Sequence, residues 1–171
     1  MASRLYWINH FADGNLAIMA APKPGVPLDE VMLGWKSEGV DVVVSLVERA
    51  EIPGLAEAEE VLCGELNIDF VWFPIRDKTV PPSADAVAEV ARQLAGDIAA
   101  GRSVAIHCRA GIGRSTTLAA CILICLGRDG ATALDMIAEA RGIEVPETEE
   151  QRQWILSFAQ AAQPIQKPLL P

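Results

Sequence analysis

Residues 40–47 read VDVVVSLV, a nearly unbroken run of β-branched side chains. A strand with water on one face alternates apolar and polar residues, so a run without alternation implies burial on both faces. DFVWFPI at 69–75 and SVAIHC at 103–108 read the same way. Stretches with helical spacing separate and follow them: LDEVMLGWKSEG, GLAEAEEVLCGEL, and a segment capped by Ser83 that runs to about Ala100. A further helix is expected from Arg114 to about Leu126, stopped by Gly127, then two more in ATALDMIAEARG and ETEEQRQWILSFAQAA. Near the N-terminus, LYWINH and LAIMAAP form two short strands around the turn ADGN. Strands alternating with helices predict an α/β fold with a central, mostly parallel twisted sheet flanked by helices.

A chain of 171 residues suits one domain, here 1–163, followed by the Pro-rich tail PIQKPLLP at 164–171. The formal net charge of −9 argues against nucleic-acid or anionic-membrane binding. Four irregularly spaced cysteines and two histidines make neither a disulfide framework nor a structural zinc site. The N-terminal MASRLYWINHF lacks the design of a signal peptide, and the longest apolar stretch, TTLAACILICLG, is too short to span a bilayer. The expectation is a soluble, cytoplasmic, monomeric protein in a reducing compartment, with no cofactor and no metal.

In an α/β sheet, ligands gather at the carboxyl ends of the strands. Cys108 stands at such an end, in AIHCRAGIGRS at 105–115. Gly111 and Gly113 let the loop curl so that successive backbone N–H groups of residues 109–114 (Arg109, Ala110, Gly111, Ile112, Gly113, Arg114) face one centre. The helix that begins near Arg114 turns its positive end to the same centre. The Arg114 guanidinium can hold two oxygens of a tetrahedral oxyanion at once. Such a field also favours a thiolate at Cys108, aligned beneath a bound phosphate for in-line attack on phosphorus. The competing reading makes Cys108 a small buried thiol, which leaves Arg114 and both glycines as coincidences. A nucleotide-binding loop is rejected, because GxxxxGK[ST] would need glycine where Cys108 stands and lysine where Arg114 stands.

Cleaving a phosphate ester at neutral pH needs a proton for the departing oxygen. Asp77 leaves an expected strand in PIRDKTVPP, precedes two prolines, and lies 31 residues before Cys108. It can also be read as a turn-forming aspartate. Asp69 and Asp85 compete, but the first should start a strand and the second opens a helix. Arg109 either flanks the anion site or is solvated. Cys121 and Cys125, four apart on one helix, read as core. Cys63 is either core or a second thiol able to capture Cys108 in a disulfide. Trp7, Trp35, Trp72 and Trp154 read as core or half-buried anchors, Trp72 being placed to support the loop of Asp77.

His107, Cys108, five residues, Arg114 and Ser115 together resemble the signature loop of the cysteine-dependent protein tyrosine phosphatase superfamily. RAG after the cysteine and the short chain look most like the dual-specificity branch. VVVSLVERAE, FPIRDKTVPPS and RGIEVPETEEQRQWI extend the likeness over roughly residues 40–158. The resemblance implies a metal-independent phosphatase that hydrolyses phosphate monoesters through a phosphocysteine on Cys108. By the same resemblance, Asp77 is general acid and then base, and Ser115 donates a hydrogen bond to the leaving sulfur. His107 orients the loop, and Gln151 corresponds to the second glutamine of the larger enzymes' QTxxQ segment. Glu147 replaces the first, a departure that leaves its role open. The expected substrate is a phosphorylated protein (phosphotyrosine, and by extension phosphoserine or phosphothreonine) or a small phosphomonoester. The loop lacks the lysines of the lipid-phosphatase version. A phospho-binding module without turnover, and a sulfurtransferase or arsenate-reductase type of cysteine enzyme, are the alternatives.

Overall fold

A computed structural model describes residues 4–8 and 13–162. The elements run β1 (Tyr6–Ile8), β2 (Asn15–Ala20), α1 (Leu28–Ser37), β3 (Val42–Ser45), α2 (Leu55–Leu66), β4 (Asp69–Trp72) and α3 (Ala84–Ala99). They continue with β5 (Ser103–Cys108), α4 (Arg114–Cys125), α5 (Gly130–Arg141) and α6 (Glu149–Ala161). The strands form one five-stranded sheet in the order β1-β2-β5-β3-β4, and only the β1–β2 pair is antiparallel. This is the α/β architecture expected from the alternation of apolar runs and helices. Residues 9 and 10 of LYWINH, the start of ADGN at 12, and the tail at 164–171 fall outside the described residues.

Alternation along the central strands divides the core in two. Leu16, Ile18, Val42, Val44, Val104, Ile106 and Cys108 face a layer built from α3, α4, α5 and α6. Ala17, Met19, Val43 and Ala105 face Val31, Met32 and Trp35 of α1 and Cys63 of α2. Helix α4 is buried along its whole length because it lies between the sheet and its neighbouring helices. That burial explains why the helix is apolar on every side from Leu118 to Cys125. Ser83 caps α3 by accepting from Ala86 N–H at 3.2 Å, as its position in the sequence predicts.

DFVWFPI departs from its reading as a doubly buried strand. β4 is the edge of the sheet, stops at Trp72, and is only half-buried or exposed. Pro74 carries no N–H to extend a ladder, so the chain leaves the strand there. Ile75 N–H still donates to Leu46 O at 3.0 Å, which carries the following loop across the carboxyl end of β3. No helix among the described residues is long and apolar enough to cross a membrane.

Candidate active site

β5 ends on Cys108, and its neighbours fix where that end lies. Leu46 N–H donates to His107 O at 3.0 Å, and Ala21 N–H donates to Cys108 O at 2.8 Å. The loop then turns through Gly111 at φ +68°, a conformation that side chains resist. A Cβ there would stand 2.5 Å from the backbone C and O of Met19, so the loop presses directly on β2. At Gly113 a Cβ would meet the Gln151 side-chain amide at 2.9 Å. Gly111 is thus required by both curvature and close approach, whereas Gly113, at φ −88°, is favoured only by the closeness of the Gln151 and Glu147 side chains. Arg109 and Ala110 are exposed, Ile112 is half-buried, and Gly111 and Gly113 are buried.

The predicted reactive groups converge on this loop. Cys108 Sγ lies 3.5 Å from Ser115 Oγ in the first turn of α4. Arg114 is 2% exposed, and its guanidinium is held from several sides. Nη1 donates to Ile75 O at 2.8 Å and to Glu51 Oε2 at 2.6 Å, while Nη2 donates to Glu51 Oε1 at 2.8 Å. Asp77 Oδ1 stands 2.9 Å from Nη2. Burial opposes the Arg114 charge, but hydrogen bonding to Glu51 and the fields of Cys108, Glu51 and Asp77 outweigh it and raise its pKa.

Glu51 is the residue that sequence reasoning missed. It follows β3 in the turn VERAE, where two glutamates and an arginine look like ordinary surface charge. In the fold its carboxylate forms a two-pronged pair with Arg114, the geometry a guanidinium favours. Burial raises the Glu51 pKa, yet hydrogen bonds from Arg114 and Glu48 N–H, with the charges of Arg114 and Arg109, bring it below the ordinary value.

The loop carrying Asp77 is tied down from the α5–α6 side. Gln151 is fully buried; its Nε2 donates to Thr79 O at 3.2 Å, and its Oε1 accepts from Thr148 N–H at 3.2 Å. Gln151 therefore links α6 to the Asp77 loop while packing against Gly113. Glu147, whose role the sequence left open, places Oε1 3.9 Å from Lys78 Nζ and adds a second, looser tie. Trp72 Nε1 donates to Val47 O at 3.0 Å, which fastens the edge strand to the turn leading to Glu51.

His107 faces the opposite side of the sheet from Cys108. It is fully buried against Glu59 of α2, with Nε2 2.9 Å from Glu59 Oε1, although neither group has a well-aligned hydrogen bond there. The sequence signal for Glu59 was a carboxylate on the apolar stripe Leu55–Glu59–Cys63. Cys63 shares that face, and burial, helped by Glu59 and Asp69, pushes its thiol up to about 12. It packs with α1 and α2, whereas Cys108 belongs to the core on the other face. All four cysteines are free. Asp69 pairs with Arg102 at the amino end of β4, and Asp85 lies in the first turn of α3, so neither reaches the loop.

The profile of a family described as "polymorphic toxin system, DSP-PTPase phosphatase" matches residues 19–128, well over half of the chain and all of the loop. The chain belongs to this DSP-PTPase family. Among curated proteins, a phosphatidylglycerophosphate phosphatase, PTPMT1 of Arabidopsis thaliana, is 29% identical over 99 residues. That match takes in 58% of this chain but only 28% of the relative's length. Among solved structures, kinase-associated phosphatase with serine in place of its catalytic-site cysteine superposes with a TM-score of 0.79 at 22% identity. The superposition covers 94% of this chain and 96% of that one. A mutant form of Tk-PTP superposes at 0.71 with 27% identity, covering 94% and 95%. The DSP-PTPase chain thus has the fold of the cysteine-dependent, dual-specificity type of tyrosine phosphatase.

Proposed function

We propose that the protein hydrolyses phosphate monoesters through a phosphocysteine on Cys108. The observation that carries this reading is the grouping around Arg114. A guanidinium braced by Glu51 and Ile75 O has the Asp77 carboxylate across one edge, and Cys108 lies beside Ser115 at the mouth of the same loop. The phosphate takes the edge of Arg114 that Asp77 occupies, and the loop N–H groups cover the remaining non-bridging oxygens. The displaced Asp77 carboxyl then turns to the ester oxygen. The Cys108 thiolate attacks phosphorus, the P–O ester bond breaks, and Asp77 gives its proton to the leaving oxygen. Water next attacks the phosphocysteine, Asp77 takes the water's proton, and the S–P bond breaks to release inorganic phosphate. Ser115 O–H donates to the departing thiolate. Charge neutralisation by Arg114 and the loop is sufficient, so the scheme calls on no metal.

Protein phosphotyrosine is the substrate this surface suits best, with phosphoserine and phosphothreonine behind it. A groove of about 440 Å³ beside Ile112 combines Ile143 and Pro146 with Glu144, Glu147 and Glu149, three carboxylates against the single cation Arg152. Apolar side chains rimmed by carboxylates accept a peptide segment and repel an anionic lipid surface. The loop offers Arg109 alone for further anionic groups, with Ala110, Ile112 and Gly113 at its other variable positions. The likeness to a phosphatidylglycerophosphate phosphatase favours a second reading, a lipid phosphomonoester. We place the activity on one catalytic domain, residues 1–163, in a cytoplasmic, reducing setting that keeps Cys108 a thiol. The test compares kcat/KM on phosphotyrosine, phosphoserine and phosphothreonine peptides with that on phosphatidylglycerophosphate in vesicles. Preference for the phosphotyrosine peptide supports the protein reading, and preference for vesicles replaces it with the lipid one.

A further inference from the structure

The mechanism above leaves Arg141, a cation beside the loop, unused. Arg141, the last residue of α5, donates from Nε to Gly111 O at 3.1 Å and, less tightly, from Nη2 to Ala110 O at 3.4 Å. Its guanidinium also lies over the Tyr6 ring of β1, 4.1 Å from the centroid, and Arg4 approaches the same ring at 5.1 Å. A half-buried arginine gripping two consecutive carbonyls of an anion-binding loop is more than surface charge.

We propose that Arg141 is a positioning residue that orients the phosphate-binding peptides of the loop. The argument follows from peptide geometry. In a trans peptide the C=O of one residue and the N–H of the next point in opposite directions. Drawing Gly111 O toward Arg141 therefore turns Ile112 N–H away from it, toward the concave side of the loop. Drawing Ala110 O outward does the same for Gly111 N–H. On the other flank, Gly111 presses on the backbone of Met19, where even one added carbon would stand 2.5 Å away. The Gly111 peptide is thus fixed from two sides. Tyr6 forms a wall that holds the guanidinium plane in place, and cation–π contact stabilises it there. The positive charge of Arg141 further polarises both peptides toward a bound dianion.

This inference rests on the phosphatase reading and deepens it, assigning to Arg141 a share in oxyanion affinity. The test uses the whole chain and inorganic phosphate as the probe. Its inhibition constant is measured alongside kcat and KM for an aryl phosphate and the urea unfolding midpoint. Arg141→Met, which keeps the bulk of the side chain but removes its donors, should weaken phosphate inhibition and raise KM about tenfold. That is the size of about one charge-assisted hydrogen bond in total, shared between the two peptides. Arg141→Lys keeps the charge but not the two-carbonyl fork, so it should recover only part of the loss. Tyr6→Leu leaves the arginine in place without its wall and should weaken phosphate by a smaller factor. It serves as the second variant should Arg141→Met fold poorly. Full recovery by lysine would overturn the peptide-orienting role, because charge alone would then suffice. An unchanged inhibition constant in Arg141→Met, with wild type active, would overturn the inference alone. A wild type that hydrolyses nothing would instead overturn the phosphatase reading.

Discussion

Removing the carboxylate that braces Arg114 should unsettle both the fold and the chemistry. Glu51→Ala deletes two bonds, of 2.6 and 2.8 Å, from a guanidinium whose side chain is 1% exposed. Breaking a buried ion pair from one side costs about 3–5 kcal/mol, since the remaining charge keeps its desolvation penalty. Arg114 retains Ile75 O and Asp77, and the Glu51 side chain is itself 11% exposed, so the lower end, about 3 kcal/mol, is expected. In a chain of this length that lowers the unfolding midpoint by about 6–12 °C. Loss of the brace also lets the guanidinium tilt, and a misplacement of about 1 Å costs roughly 100-fold in kcat/KM.

The pH dependence of that stability loss has a definite sign. The folded-state pKa of Glu51 is lower than its ordinary 4.5, so its contribution is complete above that value and fades as pH falls through the folded value. The gap between wild type and Glu51→Ala should stay constant from neutrality to about pH 5 and narrow below it. Urea unfolding across pH, with kcat/KM on an aryl phosphate, provides the assay. A loss under about 0.5 kcal/mol with kcat/KM unchanged would refute the reasoning, because it would make the pair no more than a surface contact.

Three other substitutions probe the remaining parts. Asp77→Asn should slow alkyl phosphates at least 100-fold and aryl phosphates with good leaving groups far less, as loss of a general acid requires; equal losses would move the acid elsewhere. Gln151→Ala should lower kcat several-fold with little change in KM by freeing the Asp77 loop from α6, read out by steady-state kinetics on both ester types. A KM effect without a kcat effect would place Gln151 on substrate instead. Gly111→Ala should abolish phosphate inhibition and lower the unfolding midpoint, since φ +68° and the 2.5 Å approach to Met19 leave no room for a methyl group. An active, stable variant would contradict the packing of the loop on β2.

The sequence made Cys108, Arg114 and Ser115 legible because they lie within one strand–loop–helix segment, whose local signals agree. VVVS and SVAIHC likewise announced β3 and β5, both central strands with helices on each face. DFVWFPI misled because an apolar run reports what packs against a strand and says nothing of whether a second neighbour pairs with it. Glu51, Glu59 and Arg141 were hidden for a different reason. Glu51 and Arg141 are ordinary charged residues in their own segments, and Glu59 is a lone carboxylate on an apolar stripe. Each acquires a partner only when the fold brings the turn after β3, α2 and α5 to β5 and the loop after it. Gln151 was found by resemblance, but its tie to Thr79 became visible only in three dimensions.

The central claim is covalent catalysis by the Cys108 sulfur within a loop that binds phosphate. The most direct measurement is aryl phosphate hydrolysis in the presence of a metal chelator, wild type beside Cys108→Ser, with the affinity of both for inorganic phosphate. The account predicts turnover by wild type, none by the serine variant, and comparable phosphate affinity in the two. Turnover retained by Cys108→Ser, or a freshly reduced wild type that binds phosphate without hydrolysing the ester, would contradict it.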